Sequence, residues 1–189
     1  MLNRSDGLER VGEAAALPFD VSPLQLGSTG RYDGGVFRVA GRVRWAWVHG
    51  SWNEWLVLFD DGSQGWLAEA MGDFMILRER DLDQQKDGLR AQIESGEPDA
   101  IGDMVIIDET PLIVVDIKTA TPLASEGELP FKAARDWSIT SIDLRSTTSL
   151  CASIQRDAEG PSLYTGRTVT LRELAMSNLR ALAGWKLPA

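Results

Sequence analysis

The densest set of chemically capable side chains lies between Trp45 and Trp66. That stretch holds five of the seven Trp in the chain, beside Arg42, Arg44, Asn53, Glu54 and Glu69. Indole rings offer flat area and cation–π contacts, and charges among them orient a ligand. Read as a binding platform, the set is Arg42, Arg44, Trp52, Asn53, Glu54, Trp66 and Glu69, suited to a cationic ligand such as a polyamine. Packing is the competing reading and takes precedence. Trp45, Trp47, Trp55 and Trp66 would fill a small barrel, and the charges would pair across neighbouring strands. Trp52, beside a tight turn, is the ring expected to be exposed.

Catalytic readings have less to stand on. His49 is the single histidine and Cys151 the single cysteine, so a Ser–His–Asp or Cys–His pair has one imidazole to draw on. His49 falls in a hairpin turn, and Cys151 lies in a β-run between Leu150 and Ala152 as a buried thiol. Glu54 and Glu69 are the carboxylates that glycoside hydrolysis would need, although pairing with Arg42 and Arg44 explains them equally. Asp60-Asp61-Gly62 is an ordinary hairpin signal. Phosphate-loop, dinucleotide-binding and zinc spacings are all missing. The residues therefore assign no catalytic group, no metal ligand and no cofactor, and a carboxylate hydrolase ranks third among the readings.

The elements that must position these side chains follow from punctuation and period. Val36–Val48 alternates, with Phe37, Val39, Val43, Trp45 and Trp47 in one phase and Arg38, Arg42 and Arg44 in the other, as in a half-buried strand. Further strands are expected at Trp52–Phe59, Trp66–Ala70, Phe74–Leu77, Met104–Ile107, Pro111–Ile117, Ser138–Leu144, Leu150–Gln155 and from Leu163 onward. The chain also repeats itself. With Gly27 set on Gly102, Asp33 meets Asp108, Phe37 meets Leu112 and Val39 meets Val114. Ala70–Leu77 then runs beside Tyr164–Leu171. Such a pattern reads as two small β-units stacked together. Leu82, Leu89 and Ile93 sit at helical spacing in a charged connector, and Thr119–Asp136 reads as a loop folded back by Leu129 and Phe131. Thr170 and Glu173 form a capping box ahead of the stripe Leu171, Leu174, Ala175, Leu179 and Leu182, ending at Gly184; this predicts a C-terminal helix. Before the first repeat, a short helix is expected near Glu9–Ala16.

The whole chain narrows the function class. A length of 189 residues, 43% hydrophobic, supports a packed core, and a net charge of −9 repels nucleic-acid phosphates and anionic lipid. The first residues carry scattered charges and no long apolar run, unlike a signal peptide or a membrane span. A cytoplasmic protein with neither nucleic-acid binding nor membrane insertion is the expectation.

Leu24-Gln25-Leu26-Gly27, Tyr32-Asp33-Gly34, Gly41-Arg42-Val43-Arg44, Trp52-Asn53-Glu54-Trp55, Phe59-Asp60-Asp61-Gly62 and Gly65-Trp66-Leu67-Ala68-Glu69 resemble the bacterial family called domain of unknown function 4178. Gly127-Glu128-Leu129-Pro130-Phe131 and Ile142-Asp143-Leu144 extend the similarity over about residues 17–175. The resemblance implies no reaction and no catalytic residue. Relatives often carry a zinc ribbon ahead of the domain, which this sequence does not show. They are commonly encoded near polyamine-biosynthesis-like enzymes, small membrane proteins and envelope-stress-type proteins.

The combined expectation is a mainly β protein of two pseudo-repeated SH3-like barrels packed together. Residues 1–20 form a flexible lead-in, 21–78 the first repeat, 79–97 a connector helix, and 98–189 the second repeat with a C-terminal helix. Its function would be that of a non-catalytic adaptor that binds another protein, in a membrane-stress or polyamine-linked system. A small-ligand sensor is the alternative. Both phases of Trp55–Phe59 and Leu112–Val115 are apolar, so each run needs cover on both faces. The two repeats provide that cover for one another, or else a second copy does, in a homodimer.

Overall fold

The computed structural model describes residues 22–134 and 136–182, together with the strand at Glu9–Val11. The elements are β1 (Glu9–Val11), β2 (Thr29–Tyr32), β3 (Gly35–Trp47), β4 (Gly50–Phe59), β5 (Gln64–Ala70) and β6 (Asp73–Arg80). After a 3₁₀ turn at Leu82–Gln84 come α1 (Asp87–Glu94), β7 (Met104–Ile107), β8 (Thr110–Leu129), β9 (Ile139–Arg145), β10 (Leu150–Asp157) and β11 (Gly160–Val169). Every pairing is antiparallel, and the fold is mainly β.

The two halves repeat the same backbone devices. Gly27 N–H bonds Val39 O at 2.9 Å, and Gly102 N–H bonds Val114 O at 2.9 Å. Asp33 and Asp108 take left-handed φ of 49° and 47° in the β2–β3 and β7–β8 turns. The ladder shifts register between Val39 and Gly41, and again between Val114 and Asp116. Phe37 and Leu112 therefore hold equivalent places. Further on the spacing changes, because residues 48–49 join β3 to β4 whereas residues 130–138 join β8 to β9. The pairs Trp66↔Leu77 and Ser153↔Tyr164 then correspond. Leu77 matches Tyr164 rather than Leu171, so the expected alignment of Ala70–Leu77 on Tyr164–Leu171 is out of step.

Two seams join the halves: β3 pairs β8, and β6 pairs β11. Each half is a run of consecutive hairpins, and the seams link β3-β4-β5-β6-β11-β10-β9-β8 back to β3, a closed cycle of eight strands. Glycine permits the close approach at both seams. A Cβ on Gly41 would overlap Glu128 O, and one on Gly166 would overlap Ile76 O.

The apolar side chains divide among four clusters. One collects Leu24, Phe37, Val39, Trp55, Val57, Leu67 and Ile76 from the first half, closed by Leu171 and Leu174. Its counterpart collects Val105, Leu112, Val114, Ile142, Leu144 and Ile154 from the second half, closed by Leu89 and Ile93 of α1. The segment that follows each half thus packs into the core of the other. A third cluster, with Val43, Trp45, Leu56, Ala120 and Ile139, draws on both halves, and Leu77, Cys151 and Tyr164 form a fourth. Leu56 is fully buried.

Several expectations need correction. The bulge at Ala40 breaks the single phase read along β3, so Phe37 and Val39 enter one cluster while Val43 and Trp45 enter another. Thr119–Leu129 is strand rather than loop. Its alternation was hidden because its buried positions, Ala120, Pro122 and Ala124, are small. The connector helix spans only Asp87–Glu94, since β6 runs on to Arg80. Strand β1, paired with Gly127–Leu129, takes the place of the first residues of the helix expected at Glu9–Ala16. The rest of that segment, and Gly184, lie outside the described residues.

The C-terminal helix is a single turn. The capping box does form, with Thr170 N–H donating to Glu173 Oε2 at 2.7 Å and Glu173 N–H to Thr170 Oγ1 at 3.2 Å. Ala175, at φ 46°, then closes the turn, with Ala175 N–H on Arg172 O and Met176 N–H on Leu171 O, the Schellman pattern. A short helix gains little by itself. The extended tail gains more, because Ser177 pairs with Thr29, and Leu174 O accepts Arg31 N–H at 2.7 Å along the outer edge of β2.

Candidate functional site

The bulge decides what the Trp/Arg/Glu set does. Beyond it, Arg42 falls on the face of Phe37 and Val39, and its side chain is 1% exposed. A buried guanidinium must be satisfied on all sides. Nε and Nη2 donate to Asn53 Oδ1 at 3.1 and 2.8 Å, and Nη1 meets Glu126 Oε1 at 3.3 Å. The guanidinium lies 4.6 Å from the ring centroid of Trp55. Asn53 Nδ2 and Trp55 Nε1 both donate to Glu69 Oε2 at 3.0 Å. Arg42, Asn53 and Glu69 thus form one network, anchored across the β3–β8 seam by Glu126.

Trp52, Glu54 and Trp66 point to the other face. Glu54 is buried and accepts three N–H groups: Trp45 Nε1 at 2.9 Å, Trp52 Nε1 at 3.1 Å and Gln155 Nε2 at 3.1 Å. Burial pushes its pKa upward despite these donors, and the nearby Asp143 charge adds to the shift. Burial raises Asp143 as well, against the pull of Ser153, Lys118 and Arg145. Around the Glu54 carboxyl the rings form a connected wall. Trp45 stacks on Trp52 (6.3 Å between centroids) and meets Trp137 edge-on (5.0 Å). Phe131 bridges Trp137 (4.8 Å) and Trp66 (5.8 Å). Lys118 pairs with Asp116 and lies over Trp47.

The seven residues expected to act together are thereby divided. Arg42, Asn53 and Glu69 lie on one face, and Trp52, Glu54 and Trp66 on the other. Arg44 is partly exposed, with Nε on Ser51 Oγ at 3.1 Å. Glu54 and Glu69 face opposite ways, so the two carboxylates do not flank one substrate. Gln155, Asp143 and Trp137 were missed, because they come from the second half and join only when the strand cycle closes. No local pattern marks them. Among the described residues, no group of three or more His, Cys, Asp or Glu side chains is placed to hold a metal ion.

The exposed apolar surface lies elsewhere. Ile101, Met104, Ile106 and Val115 are 69%, 57%, 60% and 45% exposed. Met104 faces Ile113 and Ile106 faces Pro111 across the β7–β8 ladder. The outer edge of β7 has no strand partner among the described residues. In its counterpart β2, the outward N–H groups of Thr29 and Arg31 are taken by Ser177 O and Leu174 O. The corresponding groups, Met104 N–H and Ile106 N–H, point off an open edge.

The profile of the family described as domain of unknown function (DUF4178) matches residues 25–171, from the approach to β2 through Leu171 of the closing turn. The chain belongs to the DUF4178 family. Comparison with curated proteins and with solved structures gave no match. Among the described residues of this DUF4178 protein, no helix is long and apolar enough to cross a membrane. Its candidate surfaces are therefore the β7 edge, with its exposed side chains, and the aromatic wall about Glu54.

Proposed function

We propose that this DUF4178 protein is a non-catalytic adaptor that takes an extended apolar segment of a partner protein along the free edge of β7. The carrying observation is that edge: outward N–H groups at Met104 and Ile106, flanked by exposed Ile101, Met104, Ile106 and Val115. The edge is short, at four residues, but it carries neither the charge nor the proline that commonly blunts one, and strand addition is a standard use of an open edge. The charge of −9 favours a partner with basic flanks. A bacterial cytoplasm, in a membrane-stress or polyamine-linked system, is the setting we favour. We also read each half as a diverged SH3-like unit, on the support of its five consecutive antiparallel strands and matched turns.

Selection from a displayed peptide library tests the adaptor. Bound peptides are expected to alternate apolar residues, and Ile106→Pro, which deletes one outward N–H, is expected to abolish capture. Selected peptides that bind Ile106→Pro equally well would refute it. Self-association through β7, read by sedimentation velocity and removed by the same variant, would make the partner a second copy.

A second reading rests on the partly buried Trp52, Trp66, Phe131 and Trp137 beside the Glu54 carboxyl. A cationic ligand, with a polyamine as the first candidate, would use ring faces and carboxylates together. Spermidine raising the melting temperature would support it, because a ligand of the native state stabilises by mass action. No shift at millimolar ligand would remove it.

A further inference from the structure

Between the β2–β3 turn and the end of β11 lies an open groove of about 430 Å³, within the range of small-ligand sites. Arg31 and Arg167 line it with Tyr32, Ser149 and Thr168. Four other arginines of this acidic chain find carboxylates, Arg38 with Glu128, Arg42 with Glu126, Arg80 with Asp108 and Arg90 with Glu94, and Arg44, Arg78, Arg145 and Arg156 donate to neutral oxygens. The guanidinium groups of Arg31 and Arg167 make neither a hydrogen bond nor an ion pair with the described residues. Behind the wall, Arg145 Nη1 donates to Thr168 Oγ1 at 2.6 Å.

Two acids also reach the groove, and one is already engaged. Glu173 Oε2 accepts Thr170 N–H at 2.7 Å and Thr170 Oγ1–H at 2.9 Å, which holds its carboxyl below the usual range. Asp33 lies exposed in the β2–β3 turn. Burial, then the Asp33 charge, pushes the Tyr32 phenol upward. Val169, partly buried, adds an apolar side to the groove.

We propose that this groove binds a small organic oxyanion, with its carboxylate or phosphate head group on Arg31 and Arg167 and its apolar body against Tyr32 and Val169. The planar guanidinium fork matches either head group. The negative field of the chain disfavours polyanions and selects a compact ligand carrying one such group. The inference is independent of the β7 edge.

Isothermal titration of the full chain with benzoate, phenyl phosphate and inorganic phosphate, at about 0.1 M salt, tests it. Saturable binding of benzoate or phenyl phosphate at about 1 mM or tighter is expected. The tighter of the two identifies the head group, and inorganic phosphate should bind more weakly. Arg31→Gln and Arg167→Gln, both surface changes, are each expected to weaken binding about tenfold or more. Arg172→Gln, an exposed cation outside the groove, should leave it unchanged. Three results would overturn the proposal: no saturation by either aromatic anion at about 10 mM, equal binding by both groove variants, or an equal loss with Arg172→Gln.

Discussion

Gly166→Ala probes whether the two halves are one body. Gly166 lies opposite Leu77 in the β6–β11 seam. An added Cβ would overlap Ile76 O and sit 2.8 Å from its carbonyl carbon and 3.0 Å from Leu77 Cα. Every one of these atoms is backbone, so no rotamer change relieves the overlap and the strands must part. Overpacking a tight site costs about 1–3 kcal/mol and sometimes more, and the rigid contact puts this substitution at about 3 kcal/mol. For a chain of this length that lowers Tm by about 6–12 °C. Scanning calorimetry should show one transition for the parent and one, displaced downward, for the variant. The same scan on Gly88→Ala supplies the opposite sign. Gly88 lies in α1, with nothing within 4 Å of an added Cβ, and alanine there should add up to about 1 kcal/mol. A Gly166→Ala shift below about 2 °C, or two separate transitions in the parent, would refute the reasoning.

Three further outcomes follow from particular contacts. Leu174→Ala removes a side chain that is 1% exposed from the first-half core, and should cost about 2–5 kcal/mol in urea unfolding. An equal loss of first-half and second-half signals is expected. Burial pushes the Cys151 thiol up to about 11. Native protein should therefore react with a disulfide reagent only as fast as it unfolds, and prompt labelling at neutral pH would contradict that. Glu54 and Asp143 are both raised by burial, so the folded state holds these protons more tightly than the unfolded chain does. That contribution is fully present below the unfolded carboxylate pKa of about 4 and is lost as pH rises through the raised folded value. Asp143→Asn should gain stability relative to the parent as pH rises above about 4; a pH-independent difference between the two would show the shift to be absent.

What the sequence disclosed was backbone punctuation. Gly27 and Gly102, and Asp33 and Asp108, could be matched because residues held at positive φ are drawn from a short menu. Most strands were equally legible from alternation, but β1, β2 and the Thr119–Leu129 stretch of β8 were not. The seams were not, because Gly41 and Gly166 serve close approach inside strands, where a glycine carries the same letter as one in a turn. The swap of covering segments was hidden for a related reason. Leu171 and Leu174 announce an apolar stripe but not the core that receives it, and the edge of β2 offered more than helix propagation did.

The candidate site turned on one residue. Counting by twos from Phe37 puts Trp45 with the core and Arg42 with solvent, and that count is right for an unbroken strand. One extra residue at Ala40 reverses the phase for everything beyond it. Arg42 becomes the buried cation held by Asn53 and Glu126. Trp45 and Glu54 become the wall shared with the other half, as Gln155 shows by donating to Glu54 from β10. The corresponding shift at Val115 in β8 lies where the second half presents exposed Val115 beside Ile113. The same device thus buries charge in one half and leaves apolar surface exposed in the other. It is that asymmetry, rather than the tryptophan count, that supports the proposal of a protein partner at the second half.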